Sequence, residues 1–466
     1  MKFREKYIGD RAFYRMLFAL VLPLIIQQGL TNFVSLLDNV MVGGLGTYSM
    51  SAVSIVNQLI FVYNLAIFGG LSGASIFSTQ FCGVEDWKGM RNTFRFKMLF
   101  SLTTGILATA ILLLFGDELM MLFLRGETNT PEEIAVTVEA ARRYLSVAVI
   151  GLIPFGLVQT YAGTMRETGE TVSPMTAGLI AITVNLIFNY LLIYGKFGFP
   201  MLGVAGAAIA TVLSRFVELA YVVISCHRRH GEFRFIEGVY RSAKVPGHLV
   251  RRILVMGAPL LINEILWSLG MTFISRNYSL RGITVIAAAN IATTVWNLFC
   301  VIMFAMGSAV SILVGQRLGA GDREGAIDID RKLIFFTIVS NIAVAILMIA
   351  AAPFIPLLYK VEPEVRALAT RFLMISGAAA PVHAFIHAVY FTIRSGGKTV
   401  ITFLFDSVYT WVCPAMLSLI LCRFTKLDIV WIYFAVQFID VVKLLIGVPL
   451  LRSGFWANNV IEDVKS

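Results

Sequence analysis

Charge is scarce in this chain. Asp, Glu, Lys and Arg make up 14% of 466 residues, against 58% hydrophobic residues and a mean hydropathy of +0.80. A soluble domain must cover itself with polar side chains, so this composition excludes one. The five cysteines, Cys82, Cys226, Cys300, Cys413 and Cys422, form no CxxC pair. Their scatter excludes a disulfide framework and a thiolate zinc site, and buried inert thiols are expected. The chain lacks a Walker phosphate loop, which excludes ATP hydrolysis, and it lacks HExxH and GxSxG. No enzyme and no cofactor are therefore expected. Ten-residue alternating segments are absent too, which excludes a membrane β-barrel.

What is present is a series of long apolar runs with the charges segregated between them. About 20 apolar residues span a bilayer as a helix. Runs at 16–40, 51–82, 94–115, 140–163, 174–194, 202–225, 253–280, 285–315, 333–352, 368–392, 401–422 and 428–451 predict an all-α integral membrane protein of about twelve spans. The second and eighth runs exceed one crossing and should tilt or bend. The first is too long for a cleavable signal and carries Gln27, Gln28, Asn32 and Asp38.

The net charge of +10 fits a membrane orientation better than a nucleic-acid partner. With the N-terminus in the cytoplasm, about 25 of the 38 Lys and Arg residues fall on the cytoplasmic side. The densest basic runs, Lys2 to Arg15, Lys88 to Lys97 and Arg228 to Arg252, share that side. Both termini are thus expected in the cytoplasm.

The sequence also repeats itself. A shift of 236 places Pro23-Leu24 on Pro259-Leu260, Gly46 on Gly282, and Ser75-Ile76, Gln80, Gly83, Asp86 and Gly89 on Ser311-Ile312, Gln316, Gly319, Asp322 and Gly325. A shift of 228 places Arg166, Gly169, Thr171 and Val172 on Arg394, Gly397, Thr399 and Val400. Two six-helix bundles of one topology follow: an N-lobe at 1–225, a cytoplasmic linker at 226–252 and a C-lobe at 253–466. Six spans is even, so the bundles share one orientation. They are expected to be pseudo-symmetric around a central cleft, as alternating access requires.

Ionisable and amide side chains within spans are costly and read as functional. Asp38 lies near the outer end of span one. Asn185 and Asn189 lie four apart on span five, and Thr211 lies in span six. Rise per residue places all four at similar depth in the outer half of the membrane. Their oxygens make a cage for a hard monovalent cation, Na+. The Asp38 carboxyl could instead take a proton, since removal from water disfavours charge. Helix-to-helix hydrogen bonding is the alternative for the amides and hydroxyl. No other metal site is evident.

The second half offers weaker candidates. Glu264 and Asn263 lie mid-span, with Glu264 in the repeat position of Gln28, and all three could line a substrate cavity. His383 and His387 are four apart on span ten without a third ligand, and read as cavity-lining or core residues. Arg215 with Glu218 and Asp440 with Lys443 are each three apart, and read as self-satisfied pairs on one helix face. Asp406 reads as an anchor at the cytoplasmic interface. Prolines 23, 154, 259, 381 and 414 interrupt spans, and the repeat-equivalent Pro23 and Pro259 are hinge candidates.

Taken together, the chain resembles the multidrug and toxic compound extrusion (MATE) transporters of bacteria. The likeness rests on Pro23 with Asp38 fifteen residues on, Met41-Val42-Gly43-Gly44, the Gln80 and Gln316 motifs, and the doubled R-x-x-G-x-T-V. It rests also on Gly203-x-x-Gly206-Ala207-Ala208-x-Ala210-Thr211 and the closing Trp456-Ala457-Asn458-Asn459. The resemblance implies an antiporter in the plasma membrane, exporting amphipathic, often cationic, organic compounds in exchange for Na+ or H+. It implies a monomer, and it matches Asp38, Asn185, Asn189 and Thr211 to the family's N-lobe cation or proton site. The C-lobe departs from the pattern. Some members carry an acid eight residues after the span-seven proline. Here Glu264 follows Pro259 by five, position 267 is Trp, and span ten has His383 and His387 where those members have an acid. A flippase of lipid-linked precursors is the alternative, and it would need several basic residues free in the cleft.

Overall fold

The structure is a computed structural model. It describes residues 3–124, 130–359 and 361–462, without the side chains of Phe3, Arg4, Ser35, Leu36, Asn39, Val40 and Thr47. The described residues form helices and connecting turns, with no strand among them. After a one-turn helix at Phe3–Tyr7 come α1 (Arg11–Gly43), α2 (Thr47–Gly83), α3 (Trp87–Leu124), α4 (Pro131–Glu167), α5 (Val172–Tyr194) and α6 (Val204–Arg228). The second half holds α7 (Gly247–Ser279), α8 (Ile283–Phe299), α9 (Val301–Gly319), α10 (Arg323–Ala351), α11 (Pro363–Ser395), α12 (Thr399–Phe424) and α13 (Ile429–Arg452). All but α8 are long and apolar enough to cross a membrane, giving twelve candidate spans among the described residues.

The run expected over 285–315 is two helices, α8 and α9, broken at Cys300, where ψ of 6° turns the backbone out of the α region. Its counterpart α2 runs unbroken for 37 residues. α1, α7 and α11 also continue through Pro23, Pro259 and Pro381. In α12 the ladder loosens into π turns at Leu404–Val408 and Trp411–Ala415. The second contains Pro414, which has no N–H to give.

The repeats recur as backbone geometry. Gly46 and Gly282 both take positive φ, 104° and 116°, at the turns into α2 and α8, where a side chain would be strained. Asp322 caps α10 by accepting from the Gly325 N–H at 2.9 Å. That bond, with the Arg317 guanidinium, holds its carboxyl below the usual carboxylate range.

Contacts divide the chain into two compact units. One comprises Ile26–Ser78 and Trp87–Val250. The other runs through Ile25 and includes Thr79–Asp86 and everything from Arg251 onward. The crossover in α1 follows its apolar face: Leu17, Leu20 and Val21 are buried against Met306, Val310, Leu313 and Val389 of the second unit. The first unit has its own core around Val56, Tyr63, Ile67, Leu145 and Ala208.

Within the expected linker, residues 233–239 are docked onto the first unit. Phe233, Phe235, Ile236 and Val239 are buried. Arg91 of α3 donates to the carbonyls of Arg234 and Phe235, and Arg95 to those of Gly238 and Val239, at 2.8–3.3 Å. Two charges that read as orientation signals thus also serve as hydrogen-bond donors to the loop. Lys97 departs further from the sequence reading. It is 1% exposed and ion-paired with Glu167 of α4 at 2.6 Å.

Candidate functional site

In the first unit, three helices deliver one polar chain. α5 is almost wholly apolar, yet buries Asn185 and Asn189 on one face. α6 approaches it closely because Gly206 has no side chain: a Cβ there would stand 2.5 Å from the Leu192 carbonyl oxygen. Ala207, Ala208 and Ala210 keep the seam narrow, as small residues do between membrane helices. The G-x-x-G-A-A-x-A-T motif therefore brings Thr211 against α5.

Asn189 Nδ2 donates to Asp38 Oδ1 at 2.7 Å and to Asn185 Oδ1 at 3.1 Å. Asn185 Nδ2 donates to Thr211 Oγ1 at 3.3 Å, and Thr211 donates onward to the Ala207 carbonyl. Turning the Asn185 amide over would instead place its NH2 3.1 and 3.2 Å from the two Asp38 oxygens. Asn189 Oδ1 is buried without a hydrogen-bond donor. Nearby, Tyr194 donates to the Met41 carbonyl at 3.0 Å, tying the end of α5 to α1.

The second unit gathers a different set. Asn263 Nδ2 donates to Asp406 Oδ2 at 3.0 Å, and its Oδ1 accepts from the Ser407 N–H and hydroxyl. Tyr390 donates to Glu264 Oε1 at 3.3 Å and accepts from Asn263 at 3.4 Å. Lys443, 3% exposed, reaches Asp406 at 3.5 Å. Two sequence readings are corrected here. Lys443 pairs with Asp406 across α12 and α13, not with Asp440 on its own helix. Asp406 is the hub of an interior network, not an interface anchor. Asp440 instead faces His383 Nε2 at 3.7 Å. The Arg215–Glu218 pair is as expected, at 2.9 Å.

His383 and His387 are held among rings: His383 edge-on to Trp296, His387 against Phe304 and Phe391. No group of three metal-ligating side chains occurs among the described residues. Gln28 donates to Asn32 at 3.3 Å and lies in the other unit from Glu264. The residues that sequence reasoning missed are Asp406 in its hub role, Tyr390 and the buried Lys97–Glu167 pair. Asp406 and Lys443 are 37 apart and Lys97 and Glu167 are 70 apart, so no local spacing signals them.

The profile of the MatE family matches residues 23–191 and 259–420, both halves of the repeat. The chain belongs to the MatE family. It is thus a multi-pass membrane transporter rather than an enzyme. Among curated relatives, it is 24% identical to a probable multidrug resistance protein, NorM, of Thermotoga maritima, over 96% of this chain and 95% of the relative. It is also 24% identical to a probable multidrug resistance protein, YoeA, of Bacillus subtilis, over 93% of each. Among solved structures, a multidrug resistance MATE transporter of the MOP superfamily, in an outward-facing conformation, superposes with a TM-score of 0.84 at 20% identity. The overlap covers 97% of this chain and 99% of that one. A MOP-superfamily transporter from Pyrococcus furiosus gives 0.83 at 19% identity, covering 97% and 98%. These MatE likenesses extend across both units.

Proposed function

We propose that this transporter is an antiporter of the plasma membrane, exporting amphipathic, cationic organic compounds against an inward flow of Na+ or H+. The observation that carries the reading is the single hydrogen-bonded chain linking Asp38, Asn189, Asn185 and Thr211 from α1, α5 and α6. A carboxylate, two amide oxygens and a hydroxyl suit a hard monovalent cation. The orphaned Asn189 Oδ1 is an acceptor with capacity left for such an ion. With a proton as the coupling species, Asp38 holds it and the amides reorient around the neutral acid.

Loading Asp38 from outside favours a state of α1 bent at Pro23, with Pro259 as the equivalent hinge of α7, and that state releases substrate. Ion and substrate then act on one two-state element and oppose each other reciprocally. Glu264, Asn263, His383, His387 and Gln28 are the cavity candidates. The flippase alternative needs free basic residues within the spans, whereas Arg215 and Lys443 are each engaged by an acid. Both termini lie in the cytoplasm, and the protein works as a monomer without a cofactor.

The test is uptake of a fluorescent organic cation into proteoliposomes under a Na+ or a pH gradient. Uptake driven by one gradient and lost in Asp38→Asn names the ion and supports the site. Wild-type rates in Asp38→Asn would refute the coupling role.

A further inference from the structure

Within the second unit, a cleft of about 530 Å³ opens between the Gly396-Gly397 turn, the start of α10 and the segment after α13. We propose that this cleft binds a phosphate-bearing anion, gripped by Arg323 and Lys398. The site shares no residue with the Asp38 cluster.

Two cations reach it from different elements. Arg323 opens α10, and Lys398 stands just before α12. Among the described residues, neither pairs with a carboxylate. Arg323 spends one N–H on the Gly454 carbonyl at 2.9 Å, and Lys398 sits 4.3 Å over the Phe455 ring. A guanidinium has five N–H donors and an ammonium three, so both keep donors for a ligand. Among the described lining residues the acid is Glu462, which accepts from Asn459 Nδ2 at 3.4 Å.

The walls are held in place. Gln80, fully buried, donates to the carbonyls of Ser395 and Asn458 and accepts from the Val460 N–H at 2.8 Å. Asn459 donates to the Gly319 carbonyl, and Arg252 to that of Val460. Trp456 is buried to 1% exposure. A segment fastened at this many points gives a preorganised cleft, which lowers the entropy cost of binding.

The choice of phosphate follows from charge geometry and position. Arginine presents a planar fork to phosphate and lysine a point charge. Basic pockets at the cytoplasmic ends of membrane helices accept anionic lipid head groups. On the topology proposed above, the α9–α10 and α11–α12 turns lie at that end. The same chemistry would also take a soluble phosphate.

The test titrates the full-length protein in neutral detergent with dihexanoyl phosphatidylglycerol, dihexanoyl phosphatidylcholine and inorganic phosphate. Each cation near a phosphate contributes about fivefold in affinity, so the Arg323→Gln/Lys398→Gln double variant should bind the anionic lipid about 30-fold more weakly. Arg323→Lys/Lys398→Arg should retain binding, which separates lost charge from lost fold. Arg251→Gln, a change at an exposed cation outside the cleft, should change nothing. Saturable binding of inorganic phosphate as tight as the lipid, lost in the same double variant, supports the site with a soluble occupant. Equal affinity for phosphatidylcholine, or an unchanged affinity in the Gln double variant, overturns the proposal.

Discussion

Lys97 and Glu167 form a sealed charge pair inside the first unit, with side-chain exposures of 2% and 7%. Lys97 Nζ lies 2.6 and 2.7 Å from the two carboxylate oxygens and 3.3 Å from Thr164 Oγ1. Replacing Lys97 by Met removes the cation that holds both carboxylate oxygens of Glu167. Replacing Glu167 by Gln strands the ammonium. Breaking a buried pair from one side costs about 3–5 kcal/mol. That is a shift of roughly two to nearly four orders of magnitude in the folding equilibrium. Removing both charges with residues of similar volume, Lys97→Met with Glu167→Leu, relieves both desolvation penalties and should restore most of the loss. Denaturant unfolding of the singles and the double in mixed micelles gives the coupling energy directly. Single losses below about 1 kcal/mol, or a double variant that loses the sum of the singles, would refute the assignment of this pair as a mutually neutralising unit.

Further expectations concern the motifs and the caps. Gly83→Val should cost about 1–3 kcal/mol or more by overpacking, read as a lowered midpoint in thermal unfolding, because even a Cβ would stand 1.9 Å from the Gln316 carbonyl oxygen. Gln80→Ala should loosen the closing segment, seen as faster proteolysis after Trp456, since it leaves the buried Val460 N–H without an acceptor. Asp322→Ala should cost about 1 kcal/mol through loss of the α10 cap. The folded-state pKa of Asp322 lies below its unfolded value of 3.8. Its contribution is therefore present above that value and fades as pH falls through the folded pKa, so wild type and variant should converge in stability in strong acid.

The helical architecture was legible because bilayer thickness converts directly into a count of apolar residues, and charge between runs marks the ends. The break at Cys300 was not, since no proline or glycine announces it and a single backbone rotation makes it. That Asp38, Asn185, Asn189 and Thr211 meet was legible because a helix rises 1.5 Å per residue, which brings them to one level along neighbouring helices, and hydrogen bonds join them. The second-half network was not legible. Spacing of three or four residues reports only neighbours on the same helix, and Lys443 found its partner on α12 instead. Asp406 was misplaced for the same reason: its position near a helix start says nothing of which helices close over it.

One contact built by the duplicated motif runs in both directions. A Cβ on Gly83 would strike the Gln316 carbonyl at 1.9 Å, and one on Gly319 would strike the Gln80 carbonyl at 2.0 Å. Each copy supplies the notch into which the other's backbone fits, so the surface is complementary to itself. Such isologous pairing is what two identical subunits make across a two-fold axis. Elsewhere the two repeats are free to differ: one unit holds the Asp38 cluster and the other the Asp406–Lys443 network. At the crossing that freedom is absent, because enlarging either glycine displaces the other repeat's backbone.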